Sequence, residues 1–213
     1  MSLEGKLVTF EGIDGCGKGT QLKLLHEALD KQNITYHRFR EPGGTDVAEK
    51  LRSILLNRET DIDEITELFL FQASRADLAN HETRLRLAQG RLVVLDRYYD
   101  STVAYQGAGR FRNNPAILRR LDAMHEFFPT PDKTFYFQIS VGESKRRLKS
   151  QGASLDRIEQ QGTDFHYRVK TAFDTLAENN PERFVTIDGT LPEQEIHEEY
   201  VMPVIKDIYA INK

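Results

Sequence analysis

Residues 12–20 read GIDGCGKGT. Glycines at 12, 15 and 17 permit a tight curl whose backbone N–H groups converge on an anion, and Lys18 adds a mobile cation. The spacing of Gly12, Gly17 and Lys18 is the G-x-x-x-x-G-K pattern of a phosphate-gripping P-loop, with Ile13, Asp14, Gly15 and Cys16 as its intervening residues. The pattern normally continues with Ser or Thr, whose hydroxyl reaches Mg²⁺. This chain has Gly19, and a hydroxyl returns only at Thr20. A metal here is therefore expected to rest on phosphates, waters and carboxylates. A second pair, Asp96-Arg97, ends an apolar run. The carboxylate suits a nucleotide-bound Mg²⁺, and the planar cation suits a second phosphate held bidentately. Together these residues describe the chemistry of a small-molecule phosphate kinase.

The elements that must position them are readable. KLVTFE (6–11) is a strand running into the loop, and Leu22, Leu25 and Leu29 then share one helical face. Further strands are expected at 34–39, 91–96, 133–139 and 183–189, with a Pro/Gly turn at 41–45. Helical patterns cover 46–57 and 63–89, and a last helix starts near 192. Five strands alternating with helices predict an α/β fold of the P-loop NTPase kind: three layers, αβα, around a five-stranded parallel sheet. We read residues 1–213 as one domain. The polar stretch 150–164, bordered by glycine, is either a surface loop or a mobile lid.

Composition narrows the class. With 213 residues and 39% hydrophobic content, the chain can bury a sizeable core. A net charge of −4 with no basic stripe argues against nucleic acid as a partner. One cysteine cannot form an internal disulfide, which fits a reducing compartment. No charged-then-apolar leader is read, and runs such as LVVL (92–95) are too short to cross a bilayer. The expectation is a soluble, cytoplasmic protein with no membrane partner.

DRYYDSTVAYQG (96–107) resembles the strand-end motif of thymidylate kinases, and other blocks follow in that family's order. FEGIDGCGKGTQ resembles its P-loop, REPGGTDVAEKLRSILL its acceptor-phosphate segment, LFLFQASRADL its base-reading helix, and LDRIE the bacterial lid. The resemblance implies transfer of the γ-phosphoryl of Mg-ATP to dTMP, on the path to dTTP, by a homodimer. It implies that Phe71 stacks on thymine and that Arg75 bonds the base edge. Arg52 and Arg97 would hold the acceptor phosphate, with Glu41 and Pro42 shaping that loop, Pro42 through a cis peptide bond. Ser101 and Thr102 would lie beside the base, Tyr105 under the deoxyribose, and Gln106 would close the pocket. Asp14 would orient the acceptor or join Asp96 around Mg²⁺.

Spacing is compatible with these roles: 71 and 75 share a helix face, as do 101 and 105 if that stretch is helical. Phe71 alone is as well explained by a core, but an arginine on a mostly apolar helix needs a partner. Two departures stand out. Gly19 replaces the family's Ser or Thr, and the stretch before LDRIE reads KSQGAS, without the arginines a bacterial lid supplies. Arg146, Arg147, Lys149 and Arg157 remain as cations; we expect Arg157 to meet the transition-state charge, Arg146 or Arg147 to stack on adenine, and Lys149 to stand in as a lid cation. A deoxynucleoside kinase is the nearest rival. A guanine-nucleotide switch is disfavoured by the lack of an N-K-x-D motif.

Overall fold

The computed structural model describes residues 5–152 and 155–209. Five parallel strands form one sheet in the order β2-β3-β1-β4-β5. They are β1 (Lys6–Glu11), β2 (Tyr36–Arg40), β3 (Leu92–Asp96), β4 (Lys133–Gln138) and β5 (Phe184–Asp188). The three central strands are almost wholly buried, as strands covered on both faces must be, and β3 is a continuous apolar run before its final Asp. The helices are α1 (Lys18–Lys31), α2 (Asp46–Leu56), α3 (Glu64–Leu78), α4 (Arg84–Ala88), α5 (Tyr99–Thr102), α6 (Pro115–His125), α7 (Val141–Ser150), α8 (Thr163–Asn179), α9 (Glu193–Glu195) and α10 (Met202–Tyr209). Wide π turns join some of them: Ala79–Thr83 links α3 to α4, Val103–Arg110 extends α5, and Ile196–Val201 links α9 to α10.

Alternation along the strands divides the core. Val8, Phe10, Leu92 and Val94 pack with Leu25 of α1 and with Val169 and Phe173 of α8. Leu7, Val93 and Leu95 point the other way, onto Leu78 and Leu87. Burying these apolar side chains stabilises the sheet by about 1.5–3 kcal/mol each. The expected αβα arrangement is therefore present, with strand limits shifted by a residue or two. The 63–89 pattern is one helical rod with a wide turn inside it. Of the expected lid, residues 153 and 154 lie outside the described residues.

Strand order fixes where chemistry can occur. The chain builds β2 and β3 on one side of β1, then crosses to β4 and β5 on the other. Ligands of open α/β sheets bind at such a reversal, beyond the carboxyl ends of the strands. There Phe10 is in register with Asp96, and the Arg97 N–H donates to the Phe10 carbonyl at 3.0 Å. The P-loop and the Asp96-Arg97 pair are thus neighbours because β1 and β3 are.

Candidate active site

A cavity of about 600 Å³ opens at this end of the sheet. The P-loop forms one wall. Gly12 has φ 139°, and a Cβ there would come within 2.7 Å of the Phe137 carbonyl, so only glycine fits. Gly17 has φ 106° and starts α1 without a side-chain cap. The first-turn N–H groups of this 14-residue helix are therefore left for an anion. The Lys18 ammonium, itself buried, donates to the carbonyls of Gly12 at 3.0 Å and Ile13 at 3.4 Å. Ile13 and Cys16 turn into the core and anchor the loop. A Cβ on Gly19 would meet nothing within 4 Å, so bulk does not exclude the missing Ser or Thr.

Arg97 faces this loop from β3. Its φ of 68° lies in the left-handed region, a conformation that costs about 1–3 kcal/mol and clusters at functional sites. Nη1 donates to the Gly12 carbonyl at 3.0 Å and to Ser101 Oγ at 3.2 Å, and Nη2 meets Asp14 Oδ1 at 2.5 Å. The Tyr105 ring lies 5.0 Å from the guanidinium carbon, and its hydroxyl donates to Asp14 Oδ2 at 3.1 Å. Burial opposes ionisation of Asp14, but Arg97 and Lys18 outweigh it and hold the carboxyl below its usual range. With both Asp14 oxygens engaged, Asp96 is the better carboxylate for a cation. It lines the cavity, and its Oδ1 is buried with no partner. No group of three or more His, Cys, Asp or Glu side chains suited to a metal occurs among the described residues. An ion here would arrive with its own phosphate ligands.

Behind Arg97 sits Glu11, fully buried at the end of β1. Its carboxylate accepts from the Tyr98 N–H at 2.7 Å, the Ser101 N–H at 3.3 Å and Ser101 Oγ at 2.6 Å. It caps the helix that follows Arg97, which has no side-chain cap of its own. Burial, reinforced by Asp100, pushes Glu11 up from 4.5 to about 8. A raised carboxyl stabilises the fold below its unfolded value, and the contribution fades as pH climbs through the folded value. Thermal melts across roughly pH 5–9 should therefore show the wild type losing Tm relative to Glu11→Gln between 4.5 and 8. A difference that stays flat with pH would contradict this.

The opposite wall comes from α2, α3 and the turn after β2. The Glu41–Pro42 peptide bond is cis, as the resemblance implies. Arg52 Nη1 donates to the Pro42 carbonyl at 2.8 Å. Arg40 also lines this end, so three arginines with Arg97 surround it. Phe71 is half-buried and lines the cavity, so it is not sealed in the core. Thr102 adds a buried hydroxyl with no partner. Arg75 also lines the cavity, yet it is 2% exposed and most of its donors are taken: Nε by Glu41 at 2.8 Å, Nη1 by Gln72 at 3.0 Å, Nη2 by the Tyr98 carbonyl at 3.1 Å. At the far end Arg147 spans the Gly15 and Gly189 carbonyls, at 3.3 Å and 2.9 Å. Arg146, by contrast, is exposed and pairs with Glu143.

Every site residue expected from sequence lines this cavity except Gly12, Ile13, Arg157 and the candidate cations Arg146 and Lys149. Arg157 turns away and pairs with Glu67 at 2.7 Å. Ser101 lines the cavity, but its hydroxyl is held between Arg97 and Glu11 instead of being left for a base. Gln106 donates to Glu67 at 2.9 Å. Sequence reasoning missed Arg40, Asp156, Glu159 and Glu11. Asp156 and Glu159 were detectable: Asp156 Oδ1 accepts from the Glu159 N–H, and Glu159 Oε2 from the Asp156 N–H, the reciprocal geometry of D-x-x-E.

Residues 10–200 match the family profile described as thymidylate kinase. The chain belongs to the thymidylate kinase family. It is 42% identical over 198 residues to the thymidylate kinase of Prosthecochloris aestuarii, covering 89% of this chain and 88% of that protein. Against the thymidylate kinase of Trichormus variabilis the identity is 37% over 208 residues, covering 95% and 98%. The crystal structure of thymidylate kinase from Ehrlichia chaffeensis superposes with a TM-score of 0.73 at 32% identity, covering 95% of this chain and 98% of that one. As a thymidylate kinase family member the chain is a phosphotransferase of the nucleotide kinase type. Among the described residues no helix is long and apolar enough to cross a membrane.

Proposed function

We propose that this chain transfers the γ-phosphoryl group of ATP to dTMP, giving ADP and dTDP, in the cytoplasm and with Mg²⁺ as cofactor. One observation carries the reading: a P-loop lysine and a strained strand-end arginine line one cavity, with an aromatic ring on its acceptor wall. The P-loop amides and Lys18 hold the donor phosphates, and Arg147 lies against the adenine. Arg97 and Arg52 hold the acceptor phosphate, Phe71 carries the thymine, and Tyr105 packs beneath the sugar. Asp96 receives the metal, which supplies neutralisation of phosphate charge when bound. The acceptor is already anionic, so no general base is needed. Rate comes from alignment and from fixed positive charge.

A coupled assay offering dTMP, dUMP, AMP, dCMP and thymidine tests this. dTMP should give the highest kcat/KM. AMP as the better acceptor would sink the assignment, and thymidine as the better acceptor would favour nucleoside phosphorylation.

The same reading extends to assembly as a homodimer. Val47 and Ile54 of α2 and Ile65 and Phe69 of α3 are 42–60% exposed on helices that pack together. Exposed apolar side chains on two packed helices fit a self-complementary interface. Light scattering at micromolar concentration should give twice the chain mass; a monomer would refute this part.

A further inference from the structure

Outside the cavity lining lies a charged cluster that the reaction as described does not use. Glu67, 1% exposed, sits on α3 four residues before Phe71, on the same helix face. Its carboxylate accepts from Gln106 at 2.9 Å and from Arg110 Nη2 at 2.9 Å, and meets Arg157 Nη1 at 2.7 Å. Arg157 also reaches α2: Nε donates to the Leu55 carbonyl at 2.8 Å and its backbone N–H to Leu56 at 3.4 Å. A cation on the closing carbonyls of a helix is favourably placed. One side chain thus ties the 155–162 segment to the ends of both acceptor helices. Its neighbours Asp156, Ile158 and Glu159 form part of the wall of the cavity that Asp14 and Arg97 also line. Arg157 Nη2 is buried without a partner, so the tie was not completed for stability alone.

We propose that Glu67 and Arg157 are a positioning pair that couples acceptor binding to donor binding. A ligand that orders α2 and α3 through Arg52 and Phe71 thereby orders Arg157. The wall carrying Asp156 and Glu159, in the cavity that the P-loop also lines, is ordered with it. Coupling of this kind is reciprocal: donor and acceptor tighten each other by one factor. The inference rests on the ATP and dTMP reading above.

The test is calorimetric titration of dTMP alone and with a non-hydrolysable ATP analogue. In the wild type the analogue should tighten dTMP by about fivefold or more. In Arg157→Gln the ratio should fall to near one, with each ligand alone binding within about threefold of wild type. Arg157→Lys, which keeps the charge and the fold, should recover part of the ratio. Glu67→Gln should lose it as Arg157→Gln does. Loss of Tm alone, with the ratio intact in Arg157→Gln, would overturn the proposal, as would a wild-type ratio of one. So would a kcat loss beyond about 10²-fold at saturation of both ligands, which would place Arg157 at the transferring phosphate. A wild type that phosphorylates dTMP while Arg157→Gln keeps its ratio defeats this inference only. A wild type that ignores dTMP defeats the functional reading as well.

Discussion

Arg97→Ala should lower kcat/KM for dTMP by at least about 10²-fold, because holding the acceptor in line is worth several kcal/mol of barrier. The side chain is prepared for this task. Burial works against its charge, but the Asp14 and Asp96 carboxylates favour it and hold its pKa above the usual arginine range. Its backbone holds a left-handed conformation that Glu11 secures from below through the Tyr98 N–H. Arg97→Lys should rescue little, since a point charge cannot reproduce a two-pronged grip on phosphate. Steady-state kinetics with dTMP varied at saturating ATP reads the effect. A loss under about threefold would remove Arg97 from the acceptor site.

Arg75→Ala should destabilise the fold by about 3–5 kcal/mol, because it strands a buried carboxylate. Glu41 is 5% exposed, and Arg75 is its partner at 2.7 Å. Burial already pushes the Glu41 carboxyl upward, with Arg75 pulling the other way. For a chain of this size the loss corresponds to a fall in Tm of about 10 °C. Replacing both partners by apolar residues, Arg75→Met with Glu41→Leu, should restore most of the stability while leaving acceptor binding impaired. Thermal melts of the single and double variants decide it. A single variant within about 1 kcal/mol of wild type would show that Glu41 does not depend on Arg75.

These two arginines mark how far the sequence could be read. Arg97 was legible because it follows an apolar strand and a carboxylate, and strand order brings that end beside the P-loop. Arg75 was legible as a buried cation in need of a partner, but not as one held by Glu41, 34 residues away. The pairing of Arg157 was illegible for the same reason in sharper form. Nothing local distinguishes a lid cation aimed at phosphate from one aimed at Glu67, which lies 90 positions upstream. Ser101 and Glu11 reveal their pairing only once β1 and β3 are adjacent. The wide turn at Val103–Arg110 also carries no periodic signal, though it brings Gln106 and Arg110 together on Glu67. Strands and motifs are local facts, whereas the ion pairs that orient the site depend on tertiary contacts.

In the proposed reaction Lys18 and Arg97 grip opposite ends of one phosphate chain. A crystal structure with a bisubstrate analogue, adenosine and thymidine joined 5′ to 5′ through a polyphosphate, tests it most directly. Adenine should lie beside Arg147, thymine on Phe71, and phosphates within hydrogen-bond reach of both Lys18 and Arg97. An analogue bound with Arg97 still turned onto Asp14 and the Gly12 carbonyl, making no phosphate contact, would contradict it.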